Sequence, residues 1–307
     1  MSKNRLLVVA NRELFLTSTT KGSSVMPSDV KRFVISGLKT MTLAGVGLVL
    51  LLVGCQHRLI YYPRSYSNQE LQTALKDGAV KMEVNTSSGL QTAFYFPSHS
   101  SGKSFVWVVC GGNGSLSLDY TQYLPRWGRD TAYLFVDYPG YGLCSGSASP
   151  AGIRESFLAL REPVSRALGV PVESLGEHSA VIGHSIGCAS GLIGAEVWGT
   201  RRALLFAPFT TMTEMARLVV GRPFCYLNRH RFDNIEQLRL LGARDGRAII
   251  IHGTDDEVIP VEMARELSRL HPSTCQLEEV PGATHNDVLH KASAMMGDAM
   301  RELQNMK

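Results

Sequence analysis

The chain has 307 residues, 44% hydrophobic and 19% charged, with a formal net charge of +4. That composition suits a globular protein with a sizeable core. The positive charge is confined to residues 1–54, which hold seven Lys/Arg against two acids. The rest of the chain has 24 basic and 25 acidic residues, so no basic excess marks a nucleic-acid partner.

Lys31, Arg32 and Lys39 precede the apolar run MTLAGVGLVLLLVG, which ends at Cys55. The run has 14 residues, short for a membrane span, which takes about 20. A basic region followed by a short apolar one is the secretory signal pattern. Leu52-Val53-Gly54-Cys55 resembles the lipobox of bacterial lipoproteins. That resemblance implies cleavage before Cys55, acylation of its thiol and amine, and a membrane-anchored protein of the bacterial envelope facing the periplasm. The alternative is an uncleaved anchor helix over Val34–Val53 that tolerates Lys39. The first 25 residues do not look like a signal peptide, and Met26 serves as an alternative start to Met1. Besides Cys55, five cysteines remain at irregular spacing, which is not a disulfide framework. Cys110 and Cys188 stand in apolar surroundings and read as small buried hydrophobes.

Residues 55–79 read as a tether with a short polar helix. KMEVNT (81–86) and QTAFYF (91–96) alternate around Ser-Ser-Gly and predict a hairpin. FVWVVC (105–110), TAYLFVDY (131–138), HSAVIGH (178–184), RALLFAP (202–208) and RAIIIHG (247–253) are continuous apolar runs of the kind found in strands buried on both faces. CQLEEV (275–280) is a weaker last strand. Helical patterns lie between them: from Ser149-Pro150 to about Leu168, with Ser as N-cap and Pro at the first position, then Ile186–Val197, Thr211–Val220, Val261–Leu270 and Asn286–Leu303. The alternation predicts a mostly parallel α/β sheet covered by helices on both faces and preceded by an antiparallel hairpin, in one domain over 80–307.

AVIGHSIGCASG (180–191) places Ser185 between a predicted strand and a predicted helix. A serine held on such a sharp turn is presented above the sheet as a nucleophile, and Gly183 and Gly187 permit the tight crossing. Such a hydroxyl needs a base, and the base an orienting carboxylate. HGTDDEVIP (252–260) supplies Asp255 and Asp256 after one strand, and PGATHNDV (281–288) supplies His285 after the next. Ligand sites of open parallel sheets lie at these strand ends. The loop VVCGGNGS (108–115) also follows a strand, and its glycines let backbone N–H groups approach an oxyanion. Asn113 or Gly114 is the first donor, and Ile186 the second. His184 reads as a packing residue or as one that supports the catalytic group from behind, and Asp137 as a brace for the turn at Pro139–Gly142.

RLIYYP (58–63), GGNGS (111–115), DYPGYG (137–142), GHSIG (183–187), APFTTM (207–212), HGTDDEVIP and GATHND (282–287) together resemble the small-capped serine hydrolases of the α/β-hydrolase superfamily, in the branch of membrane-anchored esterase and depalmitoylase-like proteins. The resemblance spans nearly the whole mature chain. It implies the α/β-hydrolase fold, a triad of Ser185, Asp256 and His285, and cleavage of an ester-like bond through an acyl-enzyme. The chain departs from it at Gly111-Gly112-Asn113, where many relatives carry His-Gly-Asn.

The expected cap, about 209–240, is short. Met212, Met215, Phe224 and Tyr226 are candidates to line an acyl site, with core packing the favoured role for most of them. The expected substrate is a small-molecule or lipid ester. No cofactor is implied, and the absence of CxxC and HExxH patterns implies no metal. Peptidase chemistry on the same triad, or the fold kept without turnover, are the alternatives. A dinucleotide fingerprint is a weaker rival: Gly112 and Gly114 follow a strand and Asp137 comes later, but Ser117 stands where the third glycine belongs.

Overall fold

A computed structural model describes residues 26–100 and 104–306. The leader residues Lys3, Arg5, Arg12 and Lys21, and the first start Met1, lie outside the described residues. The chain divides into two units, residues 1–48 and 49–307. Helix α1 (Ser28–Ile60) begins in the first unit and ends in the second. It is the one described helix long and apolar enough to cross a membrane, and it runs through Leu-Val-Gly-Cys without a break.

The second unit is built on an eight-stranded sheet. In chain order its elements are α2 (Asn68–Lys76), β1 (Val80–Thr86), β2 (Gly89–Phe96), β3 (Val106–Cys110), α3 (Leu124–Trp127), β4 (Ala132–Val136), α4 (Pro150–Leu168), β5 (Ser179–His184), α5 (Ile186–Trp198) and β6 (Arg202–Phe206). There follow α6 (Met212–Val220), α7 (Asn234–Gly242), β7 (Arg247–Gly253), α8 (Val261–Leu270), β8 (Cys275–Val280), α9 (Val288–Lys291) and α10 (Ser293–Gln304). Short 3₁₀ turns cover Ser117–Tyr123, Val172–Ser174 and Phe224–Leu227. The sheet order is β1-β2-β4-β3-β5-β6-β7-β8, antiparallel from β1 to β4 and parallel from there to β8.

The pattern of each strand follows from its position. β3, β4, β5 and β6 are buried at every residue, because helices cover both faces. β1, at the edge, alternates exposed and half-buried residues and carries Lys81 and Glu83 outward, which discourages pairing with another chain. The Ser149 hydroxyl caps α4 by accepting from Gly152 N–H, with Pro150 at the first helical position. α5 is buried along nearly its whole length and packs on α4, α7, β3 and β5. Its Gly194 lies where a Cβ would stand 2.4 Å from the Phe157 ring.

Three expectations need correction. Within residues 55–79 the expected short polar helix is α2, but the chain around it packs on the body. Tyr61 and Tyr66 are core residues, and the Tyr66 hydroxyl donates to Asp137 Oδ2 at 2.7 Å. Ser67 and Glu70 then form a capping box at the start of α2. The cap ends near residue 233, not 240, because α7 belongs to the body: its Leu238 and Leu241 are fully buried and it packs on α5 and α8. Asp233 caps α7, accepting from Glu236 N–H at 3.0 Å. Finally, the last helix is two helices that meet at Ala292.

Candidate active site

Ser185 closes β5 and opens α5. Its φ of 58° and ψ of −124° put a non-glycine residue in a left-handed conformation, a strain of about 1–3 kcal/mol. The surroundings hold it there. Ser185 N–H donates to Phe206 O at 2.9 Å on the neighbouring strand, and Cys188 N–H donates back to Ser185 O at 3.0 Å. The flanking glycines are there for space. A Cβ on Gly187 would lie 2.1 Å from Cys110 O, and one on Gly183 would lie 2.5 Å from Cys188 Cα.

Asp256 sits in the loop after β7 with its side chain fully buried. Oδ1 accepts from Val258 N–H at 2.9 Å and Ile259 N–H at 2.7 Å. Oδ2 accepts from His285 Nδ1 at 2.8 Å, and His252 Nε2 approaches it at 3.3 Å while donating to Ile259 O at 2.9 Å. Burial pushes this carboxyl up. The bonds from His252, His285 and the Ile259 N–H outweigh that and hold it below the usual carboxylate range. Asp255, one residue earlier, is exposed, and among the described residues its side chain accepts from its neighbour Thr254 at 2.9 Å.

His285 lies in the loop after β8 and is nearly buried. With Nδ1–H given to Asp256, its Nε2 is the ring atom free to take a proton. His285 N–H donates to Glu257 at 3.3 Å, and its carbonyl accepts from His184 Nε2 at 3.1 Å. His184 therefore bonds to both sides of the site, behind the residues that face the cavity, as the second of its two sequence readings has it.

Ser185, Ile186, Asn113 and His285 share one cavity of about 390 Å³. Asn113 N–H has no intramolecular partner among the described residues, whereas the Asn113 carbonyl accepts from Tyr62 N–H and the Tyr141 hydroxyl. Gly114 does not line the cavity. The Gly111 departure has a steric cause: a Cβ there would lie 2.8 Å from the Tyr120 ring, whose hydroxyl accepts Gly112 N–H at 3.0 Å. A side chain at 111 and this placement of Tyr120 exclude each other.

The opposite wall is apolar. Met212, Met215, Ala216, Val219 and Val220 come from α6, and Phe224 and Leu227 from the following 3₁₀ turn. Tyr226 does not line it. Sequence reasoning missed Gln56, Leu59 and Ile60, from the last turns of α1, which complete this wall. Gln56 holds them to the cap, with Nε2 donating to Leu227 O at 2.7 Å and Oε1 accepting from Arg229 N–H at 2.8 Å. Asp137 stands apart and buried. It accepts from Ser117 N–H and Tyr66, its Oδ2 lies 2.7 Å from where a Cβ on Gly142 would stand, and burial pushes its carboxyl up to about 6. These bonds leave no ribose-binding role for it. Among the described residues, no group of three or more His, Cys, Asp or Glu is placed to hold a metal ion.

No family model matches the chain. It is similar to the human alpha/beta hydrolase domain-containing protein 17B, 27% identical over 229 residues that cover 73% of each chain. It is likewise similar to the protein YfhR of Salmonella typhimurium, 27% identical over 211 residues, 64% of this chain and 69% of that one. Among solved structures, an esterase of Pyrococcus furiosus covers 80% of this chain and is itself covered over 98%, with TM-score 0.61 and 13% identity. An alpha-beta hydrolase of Vibrio vulnificus covers 82% of this chain and 92% of its own length, with TM-score 0.60 and 16% identity. Sheet order, strand-end loops and the solved neighbours agree, and the chain has the α/β-hydrolase fold.

Proposed function

We propose that this protein is a serine hydrolase that cleaves an ester-like bond, a carboxylester or thioester, through an acyl-enzyme. The observation that carries this reading is the buried Asp256–His285 hydrogen bond facing the same cavity as a strained Ser185. Ser185 Oγ attacks the carbonyl carbon and gives its proton to His285 Nε2. Asp256 fixes the imidazole tautomer and stabilises the imidazolium. The tetrahedral oxyanion is held by the N–H groups of Asn113 and Ile186, the second at the N-terminus of α5. As the carbon–leaving-group bond breaks, His285 returns the proton to the departing alcohol or thiol. Water, deprotonated by the same imidazole, then releases the acid. No step calls on a cofactor. The apolar cap wall suits the acyl portion of a small-molecule or lipid ester.

The same reading extends to location. Cys55 is the acylated residue of an envelope lipoprotein facing the periplasm, with α1 as an uncleaved span the alternative. Intact-mass analysis of detergent-extracted protein separates them: an acylated N-terminus at Cys55 supports the lipoprotein, and an unmodified chain retaining residues 41–54 supports the span.

The test of the reaction is labelling by a fluorophosphonate together with turnover of p-nitrophenyl butyrate. Ser185→Ala should abolish the label and lower kcat by about 10⁴-fold or more. Turnover that survives this change would overturn the reading. Faster cleavage of peptide anilides than of esters would transfer it to the peptidase alternative.

A further inference from the structure

Buried polar groups outside the triad join its two sides. Gly112 N–H donates to the Tyr120 hydroxyl at 3.0 Å, the Tyr120 hydroxyl meets His184 Nδ1 at 2.9 Å, and His184 Nε2 meets the His285 carbonyl at 3.1 Å. Tyr120, His184 and His285 are all buried. The direction of this chain is forced. A carbonyl oxygen can only accept, so His184 Nε2 carries a proton. A neutral imidazole then accepts at Nδ1, so the Tyr120 O–H points to it and its oxygen is left to accept from Gly112. Every member is satisfied in that one arrangement alone, and an unmade bond at this depth would cost the full desolvation of the group.

The chain touches the reaction at two places. At one end it holds Gly112 by its N–H, while Ser115 N–H donates to the Gly112 carbonyl at 3.2 Å. In a trans peptide the Gly112 carbonyl and the Asn113 N–H point in opposite directions. Ser115 thus holds the peptide that carries the Asn113 N–H, the proposed oxyanion donor, while the Tyr120 bond fixes the adjoining Gly111–Gly112 peptide from which that donor is presented. At the other end the chain holds the backbone of His285, whose ring bonds to Asp256. A sheet-end loop after β3 and a loop after β8 are thus held by one imidazole on β5.

We infer that Tyr120 and His184 are positioning residues that fix the oxyanion donor and the catalytic base at one mutual geometry. The inference rests on the serine-hydrolase reading for its effect on rate, but the bonded chain itself does not. Because an oxyanion develops only on the way to the tetrahedral intermediate, misaiming its donor raises the barrier without weakening substrate binding.

The experiment uses Tyr120→Phe in the full-length protein, which removes one oxygen and keeps the ring, with p-nitrophenyl butyrate as substrate. The expected result is a fall in kcat of about tenfold to a hundredfold with KM changed by less than about twofold. Tyr120→Phe combined with His184→Ala should cost no more than the worse single change, because both break one chain. His184→Gln, which retains a donor and an acceptor, should keep more kcat than His184→Ala. An unchanged kcat in Tyr120→Phe, a loss that follows only the folded fraction, or additive losses would overturn the inference. Nitrogen NMR of His184 decides the chain independently of turnover. The wild type should show the Nε2–H tautomer, with a shift that moves in Tyr120→Phe. An Nδ1–H tautomer, or a signal indifferent to Tyr120, defeats the inference, whereas turnover that survives Ser185→Ala defeats only the reaction.

Discussion

The two walls of the cavity are built on different principles. The wall that carries Ser185 and His285 consists of strand ends and the loops that follow them, and its polar groups are pinned by bonds from separate elements. Asp256 alone takes bonds from Val258, Ile259 and His285. The cap wall consists mainly of apolar side chains from one nine-residue helix, a single 3₁₀ turn and the last turns of α1, and Val219 on it is 77% exposed. One wall is over-determined and strained, as the proposed chemistry would require. The other is loosely supported and adaptable, as binding of flexible chains permits. Changes on the first wall should therefore act on kcat by orders of magnitude. Changes on the second should act on substrate preference by small factors.

The largest effect belongs to Asp256. Asp256→Asn keeps the shape but lets the wrong tautomer of His285 form. We expect kcat to fall by about 10⁴-fold, while Asp255→Asn leaves it within about threefold, since that side chain is exposed and away from the imidazole. Steady-state kinetics on both variants make the comparison. The reverse ranking would move the orienting role one residue earlier and break the account of this wall.

Much of that wall was legible in the sequence because its signals are local. A buried strand ending in Gly-His-Ser-Ile-Gly before a helix can hardly be anything but a tight crossing, and the glycines at 183 and 187 mark the close approach of backbone that the structure contains. Chain order placed an acid and a histidine after the next suitable strands. The illegible parts are non-local. Tyr120 reaches His184 across 64 residues and comes from a 3₁₀ turn with no pattern of its own. Gln56 meets the cap 171 residues away. α7 was hidden differently: it is short and follows a cap segment rich in Arg and Asn, so its periodicity barely rises above its surroundings. Its Asp233 cap was the available signal.

The next effect comes from acid. Burial and the nearby His285 imidazole push His184 down to about 4, against about 6.5 for an unperturbed histidine. The groups facing it are Tyr120 from the 3₁₀ turn, His285 from the β8 loop, and Asp256 and His252 from β7 and its loop. Above pH 6.5 His184 is neutral in both folded and unfolded chains, so its full contribution is present. Below that pH the unfolded chain takes up a proton that the folded one refuses. Stability should therefore fall between about pH 6.5 and 4, by about 3 kcal/mol in total. Asp256 adds its own loss only below about pH 4, because its folded carboxyl lies under the usual range. Urea unfolding from pH 7.5 to 4.5 should show the slope in the wild type and a flatter one in His184→Gln. Equal slopes would detach His184 from the pinned wall.

The smallest effect is expected on the cap. Met215 lines the cavity from α6 and is only half-buried, so shortening it enlarges the acyl space without opening a sealed core. A fully enclosed pocket would discriminate one methylene by about 10- to 200-fold. Here solvent can fill what the side chain leaves, so Met215→Ala should shift the kcat/KM ratio of p-nitrophenyl decanoate over butyrate by about two- to tenfold toward the longer chain. The melting temperature should move by no more than a few degrees, as for partly exposed positions in general. Leu227, held beside Gln56 by the bond to its carbonyl, is the contrasting site on the same wall. Leu227→Ala keeps that backbone bond and should produce a similar shift. A loss of kcat in either variant comparable to that of Asp256→Asn would mean that the cap takes part in the chemistry, and the distinction between the two walls would fail.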